Sequence, residues 1–298
     1  MTINNKKPEH GIQDATAGGL PMDRAMMSIS DREFESLRVL IYDRFGIHLT
    51  DQKKSLMVGR LQKLLRKKNF HNFEEYYNYL VGTGGQGALS ELINLISTNY
   101  TYFNREKDHF DFFQETALPT VSTALKEQKR RDLRVWCAGC STGEESYTLL
   151  MLMMEYFGRD YANWDAGILA TDISERVLSI AKAGKYSSEK VGMLPGGLSG
   201  KYFVRCPDGE FQAHEKLRRE TTFRRFNLMN DFPFKKPFQI IFCRNVMIYF
   251  DQPTREKLVR RFHQATEKGG FLFIGHSETL GRDHSLYRYV MPAVYQKV

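Results

Sequence analysis

Four short apolar segments, Leu133–Cys137, Ala166–Ala170, Phe238–Cys243 and Phe271–Ile274, alternate with helical patterns through the second half of this chain. That alternation constrains the fold more than any other feature. Strands that are apolar on both faces and separated by helices predict a parallel sheet covered on both sides. The spacing predicts helices over Glu144–Phe157, Ser174–Ala183 and Pro253–Lys268, the last opened by its proline and closed by Gly269. Between these units, residues from about 185 to 225 are polar and glycine-rich. Pro207-Asp208-Gly209 there separates two short alternating segments, Lys201–Arg205 and Phe211–His214, and predicts an inserted hairpin.

The first hundred residues carry no strand pattern. Residues 1–29 mix Gly, Lys, Asn and Pro without periodicity and read as a mobile tail. Ser30-Asp31-Arg32-Glu33 has the capping-box spacing, and Phe34, Leu37 and Ile41 follow on one helical face. Further helices are expected over Asp51–Lys68, around Phe73–Leu80 and around Leu89–Ile96, with a loop at Gly82–Gly87. The expected layout is therefore a helical domain over 30–98, a connecting segment over 99–130 and an α/β domain over 131–298 with a β insertion at about 185–225.

Composition narrows the function classes. With 43 Lys and Arg against 35 Asp and Glu, the net charge of +8 suits a polyanion or an acidic protein surface. The longest apolar run, Leu149–Met154, is far short of the roughly 18 residues of a membrane span. Asn4, Asn5, Asp14 and Asp23 stand where a signal peptide would need an apolar core. Four cysteines are no disulfide framework, and Cys137-x-x-Cys140 has no second ligand pair, so no metal is expected. These features fit a cytoplasmic protein, with a monomer as the default.

Four segments bear chemistry. Val135–Glu145 runs from a strand through a glycine turn into a helix start, where doubly wound sheets bind nucleotide-like ligands; it can equally serve as a plain connection. It is no phosphate loop, because no Gly-Lys-Ser/Thr follows. Glu144 and Glu145 would repel a pyrophosphate but suit a cationic ligand such as S-adenosylmethionine, which carries an ammonium and a sulfonium. Asp172, ending the next strand, can take both hydroxyls of a ribose or cap the helix behind it. Phe242–Asp251 leaves a third strand at the same edge, carrying Arg244, Asn245 and Tyr249. Ser97–Glu106, dense in hydrogen-bonding and aromatic groups, lies at the seam between the two halves and suits either a lid or a capped linker.

Ser-Thr-Gly-Glu-Glu at 141–145, Ala-Thr-Asp-Ile at 170–173, Cys-Arg-Asn-Val-Met-Ile-Tyr-Phe at 243–250 and Gly-His-Ser-Glu at 275–278 together resemble the chemotaxis receptor methyltransferases, the CheR family. The resemblance spans Ser30 to the C-terminus. Ser146 departs from it, standing where the family usually has proline. The resemblance implies a small all-α domain plus a doubly wound, mostly parallel sheet of the class I methyltransferase kind, with an inserted antiparallel β subdomain. It implies transfer of a methyl from S-adenosylmethionine to glutamate carboxylates of membrane chemoreceptors. It places Asn99, Thr101, Arg105, Glu144, Asp172, Asn227, Leu228, Asn245 and Val246 around the cofactor, with Glu144 preferred over Glu145, and gives Arg105 and Tyr249 catalytic roles.

The substrate end rests on Lys53–Lys68, where seven basic residues occur with no acidic one. Lys53, Arg60, Lys63 and Lys67 are the expected docking cations for acidic receptor helices; a solvated face is the ordinary alternative. The β insertion resembles the subdomain that, in some members, binds a tether peptide at the receptor C-terminus by edge-strand addition. Two other readings stand beside this one. Nucleic-acid methylation draws on the positive charge but lacks the Asn/Asp-Pro-Pro-aromatic run of base methylation, because Val246 and Met247 occupy it. A non-catalytic cofactor-sensing scaffold is the other reading, and the presence of Arg105, Asp172 and Tyr249 together argues against it.

Overall fold

The computed structural model describes Met1 and residues 27–280 and 285–298; the tail expected over 1–29 falls largely outside them. Ser30 caps α1 (Asp31–Phe45) with the full reciprocal capping box, accepting from Glu33 N while the Glu33 carboxylate accepts from Ser30 N at 2.8 Å. Helices α2 (Lys54–Lys67), α3 (Phe73–Val81) and α4 (Gly85–Ile96) follow. Leu37, Leu61, Phe73 and Leu92 lie at the centre of the four-helix core they close. The expected glycine loop is shorter than predicted. Burial of Ala88 and Leu89 draws the helix start back to Gly85.

Two helices, α5 (Lys107–Phe112) and α6 (Leu118–Glu127), lead through a π turn at Phe113–Ala117 into the sheet. The chain then runs β1 (Asp132–Ala138), α7 (Glu144–Phe157), β2 (Asp165–Asp172), α8 (Glu175–Ala183), β3 (Lys185–Tyr186), α9 (Ser188–Gly192), α10 (Leu198–Tyr202), β4 (Phe203–Arg205), β5 (Phe211–Ala213), α11 (Glu215–Glu220) and β6 (Thr221–Arg225). It finishes with β7 (Phe238–Cys243), α12 (Gln252–Ala265), β8 (Thr266–Ile274), β9 (Tyr287–Met291) and β10 (Val294–Lys297). The main sheet has the order β6-β2-β1-β7-β8-β10-β9, parallel from β6 to β8 and antiparallel beyond. The expected hairpin forms between β4 and β5, and β3 joins it in a separate antiparallel sheet.

The continuous apolar strands behave as the two-sided pattern requires. Leu133, Val135 and Cys137 of β1 enter the core under α5–α7, while Trp136 and Ala138 enter the core under α12. Three expectations are corrected. The last helix stops at Ala265 rather than Lys268: the Thr266 hydroxyl returns to the Phe262 carbonyl at 2.7 Å and β8 starts there. Gly269, at φ +79°, lies in β8 near the slip of the β7–β8 register instead of closing a helix. The polar insertion ends earlier than 225, because β6 pairs with β2 in the main sheet. As an edge strand it buries only Thr221 and Phe223, so its sequence carries no apolar run.

The helical unit docks on the carboxyl edge of the sheet. Asn227 Nδ2 donates to Arg44 O at 2.8 Å, Ser174 Oγ to Asn94 Oδ1 at 2.6 Å and Tyr42 Oη to Asp251 Oδ2 at 3.0 Å. Leu61 is fully buried at the centre of the helical core. Leu61→Ala is expected to cost about 2–5 kcal/mol through lost transfer energy and a cavity. Urea unfolding followed by far-UV circular dichroism checks this as a lowered midpoint.

Candidate functional site

Every parallel strand of this sheet delivers its following loop to one edge, and β1 and β7 are the neighbours at which the chain order reverses. A cavity opens there. Its floor is the turn after β1 and the ends of β2 and β7, and its cover is the 97–105 segment and residues of α2.

The turn after β1 is shaped by close approach. Gly139 has φ +90°, and a Cβ on it would stand 2.4 Å from Val246 Cγ2. Gly143, at φ +95°, starts α7 where a Cβ would meet Ala181 at 2.9 Å. Between them Ser141 takes φ +49°, which turns its N–H onto Asp172 Oδ2 at 2.9 Å. Ser174 N holds the other oxygen at 2.9 Å. Asp172 is thus pinned by backbone on both oxygens at the cavity wall. Burial pushes its carboxyl above the ordinary range despite these hydrogen bonds.

A second set of charges lies beneath the cover. Arg244, the residue after β7, is buried; its guanidinium meets Glu106 Oε2 at 3.0 Å and Glu145 Oε2 at 3.1 Å, and donates to Arg105 O. Asn245 Nδ2 donates to the other Glu106 oxygen at 3.1 Å. Burial alone would raise the Glu106 carboxyl, but the Arg244 charge and the Asn245 amide outweigh it and hold it below its ordinary value. His109, buried 3.5 Å from Glu106, is lowered to about 4 by burial and then by Arg244. Below Asn245, Glu278 Oε2 accepts from Asn245 N at 3.1 Å and from Gly275 N at 2.5 Å, and Oε1 accepts from Ile248 N at 3.0 Å. Among the described residues, Glu106, His109 and His276 form the one group able to gather a metal ion. Arg244 already neutralises the Glu106 carboxylate in it.

Most of the residues singled out in the sequence converge. Asn99, Thr101, Arg105, Asp172, Asn227, Leu228, Asn245, Val246 and Tyr249 all line the cavity. Glu144 does not. Its side chain is fully buried, with its carboxylate held by Thr142 Oγ1 at 2.6 Å and Lys190 Nζ at 2.5 Å, and Glu145 lines the cavity in its place. The helix start explains the exchange: the residue after Gly143 turns inward and the next faces the sheet edge.

The basic helix also divides. Arg60 donates to Ile96 O at 2.6 Å and Thr98 Oγ1 at 3.1 Å, and Lys53 Nζ stands 5.7 Å from the centre of the Tyr249 ring. Both line the cavity, whereas Lys63 and Lys67 are exposed. Tyr249 Oη donates to Thr98 O at 3.2 Å, and Arg105 lies against Tyr100, donating to its carbonyl at 2.6 Å. Sequence reasoning gave no role to Glu106 or Glu278. Both lie in or beside the quoted segments, but a carboxylate that grips backbone or a buried guanidinium has no spacing signature.

The chemistry of the lining suits one kind of ligand. A carboxylate pinned by backbone N–H groups keeps free lone pairs for a diol, a second carboxylate, Glu145, lines the same cavity beside Arg244, and the Gly139 cradle admits no side chain of its own. These features fit a nucleoside that carries positive charge and no phosphate.

Residues 99–295 match the family model described as CheR methyltransferase, SAM binding domain, and residues 32–97 match CheR methyltransferase, all-alpha domain. The chain is 44% identical over 272 residues to a chemotaxis protein methyltransferase of Borreliella burgdorferi, covering 91% of this chain and 96% of that protein. It is 34% identical over 256 residues to the chemotaxis protein methyltransferase of Escherichia coli, covering 85% and 86%.

The Gly139 approach yields a direct expectation. Gly139→Ala should destabilise the protein by more than about 2 kcal/mol, combining a left-handed residue with overpacking against Val246. Thermal unfolding of the variant beside wild type measures it.

Proposed function

Because this chain belongs to the CheR methyltransferase family, we propose that it methylates glutamate side chains of chemoreceptors at the expense of S-adenosylmethionine, forming methyl esters. When bound, S-adenosylmethionine supplies a methyl group on a sulfonium, already activated for displacement. The observation that carries the reading is the pairing of Asp172 and Glu145 in one cavity with Arg105 and Tyr249.

In this reading Asp172 accepts from the ribose hydroxyls, and Glu145, rather than the enclosed Glu144, faces the cofactor's positive charge. Asn99, Thr101, Arg105, Asn227, Leu228, Asn245 and Val246 complete the cofactor wall. The acceptor needs no general base, because a glutamate with a pKa near roughly 4.3 arrives ionised at neutral pH. What the chain must do is align carboxylate and methyl and exclude water. Arg105 orients the incoming carboxylate, and Tyr249, tethered through Thr98 to the cover, hydrogen-bonds at the reacting centre. No helix among the described residues is long and apolar enough to cross a membrane. Lys63 and Lys67, exposed on α2, give the receptor's acidic helices a cationic face. The exposed residues of β4 offer an edge for a tether peptide.

The test is incubation with labelled S-adenosylmethionine and a receptor cytoplasmic fragment, followed by alkaline release of methanol. Label released as methanol is the expected result, and alkali-stable label on the protein would exclude an ester. Arg105→Ala and Tyr249→Phe should each lower turnover at saturating cofactor by roughly 10²-fold or more. Wild-type turnover in both would remove their roles. Methylation by Lys63→Glu/Lys67→Glu should show a raised KM for receptor and a flatter dependence on salt. Since burial raises the Asp172 carboxyl above its ordinary value, affinity for S-adenosylhomocysteine should begin to fall, as pH drops, at a higher pH than an exposed aspartate would give. Calorimetric titration of Asp172→Asn should lack that part of the profile.

A further inference from the structure

Arg244 is the most enclosed cation at this site, with its side chain 1% exposed. Its guanidinium reaches two stretches of chain at once, the 105–106 turn and the start of α7. Nε and Nη2 meet Glu106 Oε2 at 3.2 and 3.0 Å, Nη1 pairs with Glu145 Oε2 at 3.1 Å, and Nη2 also donates to the Arg105 carbonyl. The flat of the group lies 5.1 Å from the centre of the Phe110 ring. So enclosed a side chain has little surface left for a ligand. The groups it holds are those that line the cavity: the backbone that carries Arg105, the carboxylate of Glu145 and, through Glu106, the amide of Asn245.

The geometry also fixes a turn. Glu106 has φ +58° and Asn104 φ +62°, so Arg105 lies between two left-handed residues, a conformation that costs each of them and persists only where neighbours over-determine it. Arg244 grips both the Arg105 carbonyl and the Glu106 carboxylate, and so supplies that determination. The planar group sends Nε and Nη2 to the Glu106 carboxylate and the Arg105 carbonyl while Nη1 stands as an ion-pair partner to Glu145, a spread that an ammonium on a flexible stem does not have. We propose that Arg244 is the positioning residue of this site, acting on the cofactor through Arg105 and Glu145. The inference rests on the reading of those two as groups that face the cofactor.

A binding cycle on the full chain tests it, with S-adenosylhomocysteine titrated calorimetrically into wild type, Arg244→Lys, Arg105→Ala, Glu145→Gln and the two double variants. Arg244→Lys should melt cooperatively and bind about tenfold or more weakly than wild type, and the same change should cost a clearly smaller factor in the Arg105→Ala and Glu145→Gln backgrounds. An undiminished factor in both backgrounds, or wild-type affinity in Arg244→Lys, would overturn the proposal. Should Arg244→Lys fail to fold, Glu106→Gln, which keeps an uncharged side chain of the same shape beside Arg244, takes its place in the same cycle with the same two outcomes. A wild type that does not bind S-adenosylhomocysteine would instead sink the cofactor reading, and this inference with it.

Discussion

One guanidinium shared between two carboxylates and a carbonyl holds the seam of this molecule together. Removing one partner of such a buried set costs about 3–5 kcal/mol, because the charges left behind stay out of water without compensation. Arg244 comes from the first position after β7, Glu145 from α7 and Glu106 from the linker that covers the cavity. The contact therefore ties the sheet, the first crossover helix and the cover to one another at one point. Asn245 and Glu278 extend it on the far side, where a carboxylate gathers the backbone N–H groups of Asn245, Ile248 and Gly275.

The rest of the site follows from how the strands are buried. Strands apolar on both faces need helices on both faces, and parallel connection then gathers the loops after β1, β2, β6, β7 and β8 at one edge. At that edge the backbone is bent into unfavourable regions, with Ser141, Asn245 and Glu106 all left-handed without being glycine. Each is compensated locally: Ser141 by Asp172, Asn245 by Glu106 and Glu278, and Glu106 by Arg244. Strain collected where a ligand is to be held is consistent with a pre-shaped rather than an adaptable cavity.

The apolar periodicities were legible, and with them α1, α7, α8, β1, β2 and β7, because burial on a fixed period leaves a mark in composition. Elements whose burial is one-sided were not: β6 hides only Thr221 and Phe223, and the β9–β10 hairpin lies at the opposite edge. The end of α12 was misplaced because Gly269 looks the same in a helix stop as in a strand irregularity. At the site, motif resemblance gathered the lining residues, yet it could not tell Glu144 from Glu145. That choice depends on which way the first turn of α7 faces, and adjacent identical residues carry no information about it. Arg60 reads as a docking cation because it lies in a basic run and the family this chain resembles acts on acidic receptor helices. Its bonds to Ile96 and Thr98 come from the packing of α2 against α4, which no local pattern encodes.

The central claim is that the edge charges are arranged around a cationic nucleoside, and a crystal structure with S-adenosylhomocysteine bound tests it most directly. The account predicts ribose hydroxyls on the Asp172 carboxylate, the Glu145 side chain facing the ligand, and Arg244 unmoved behind it. A ligand seated elsewhere, or one that meets Glu144 after displacing Lys190, would contradict it.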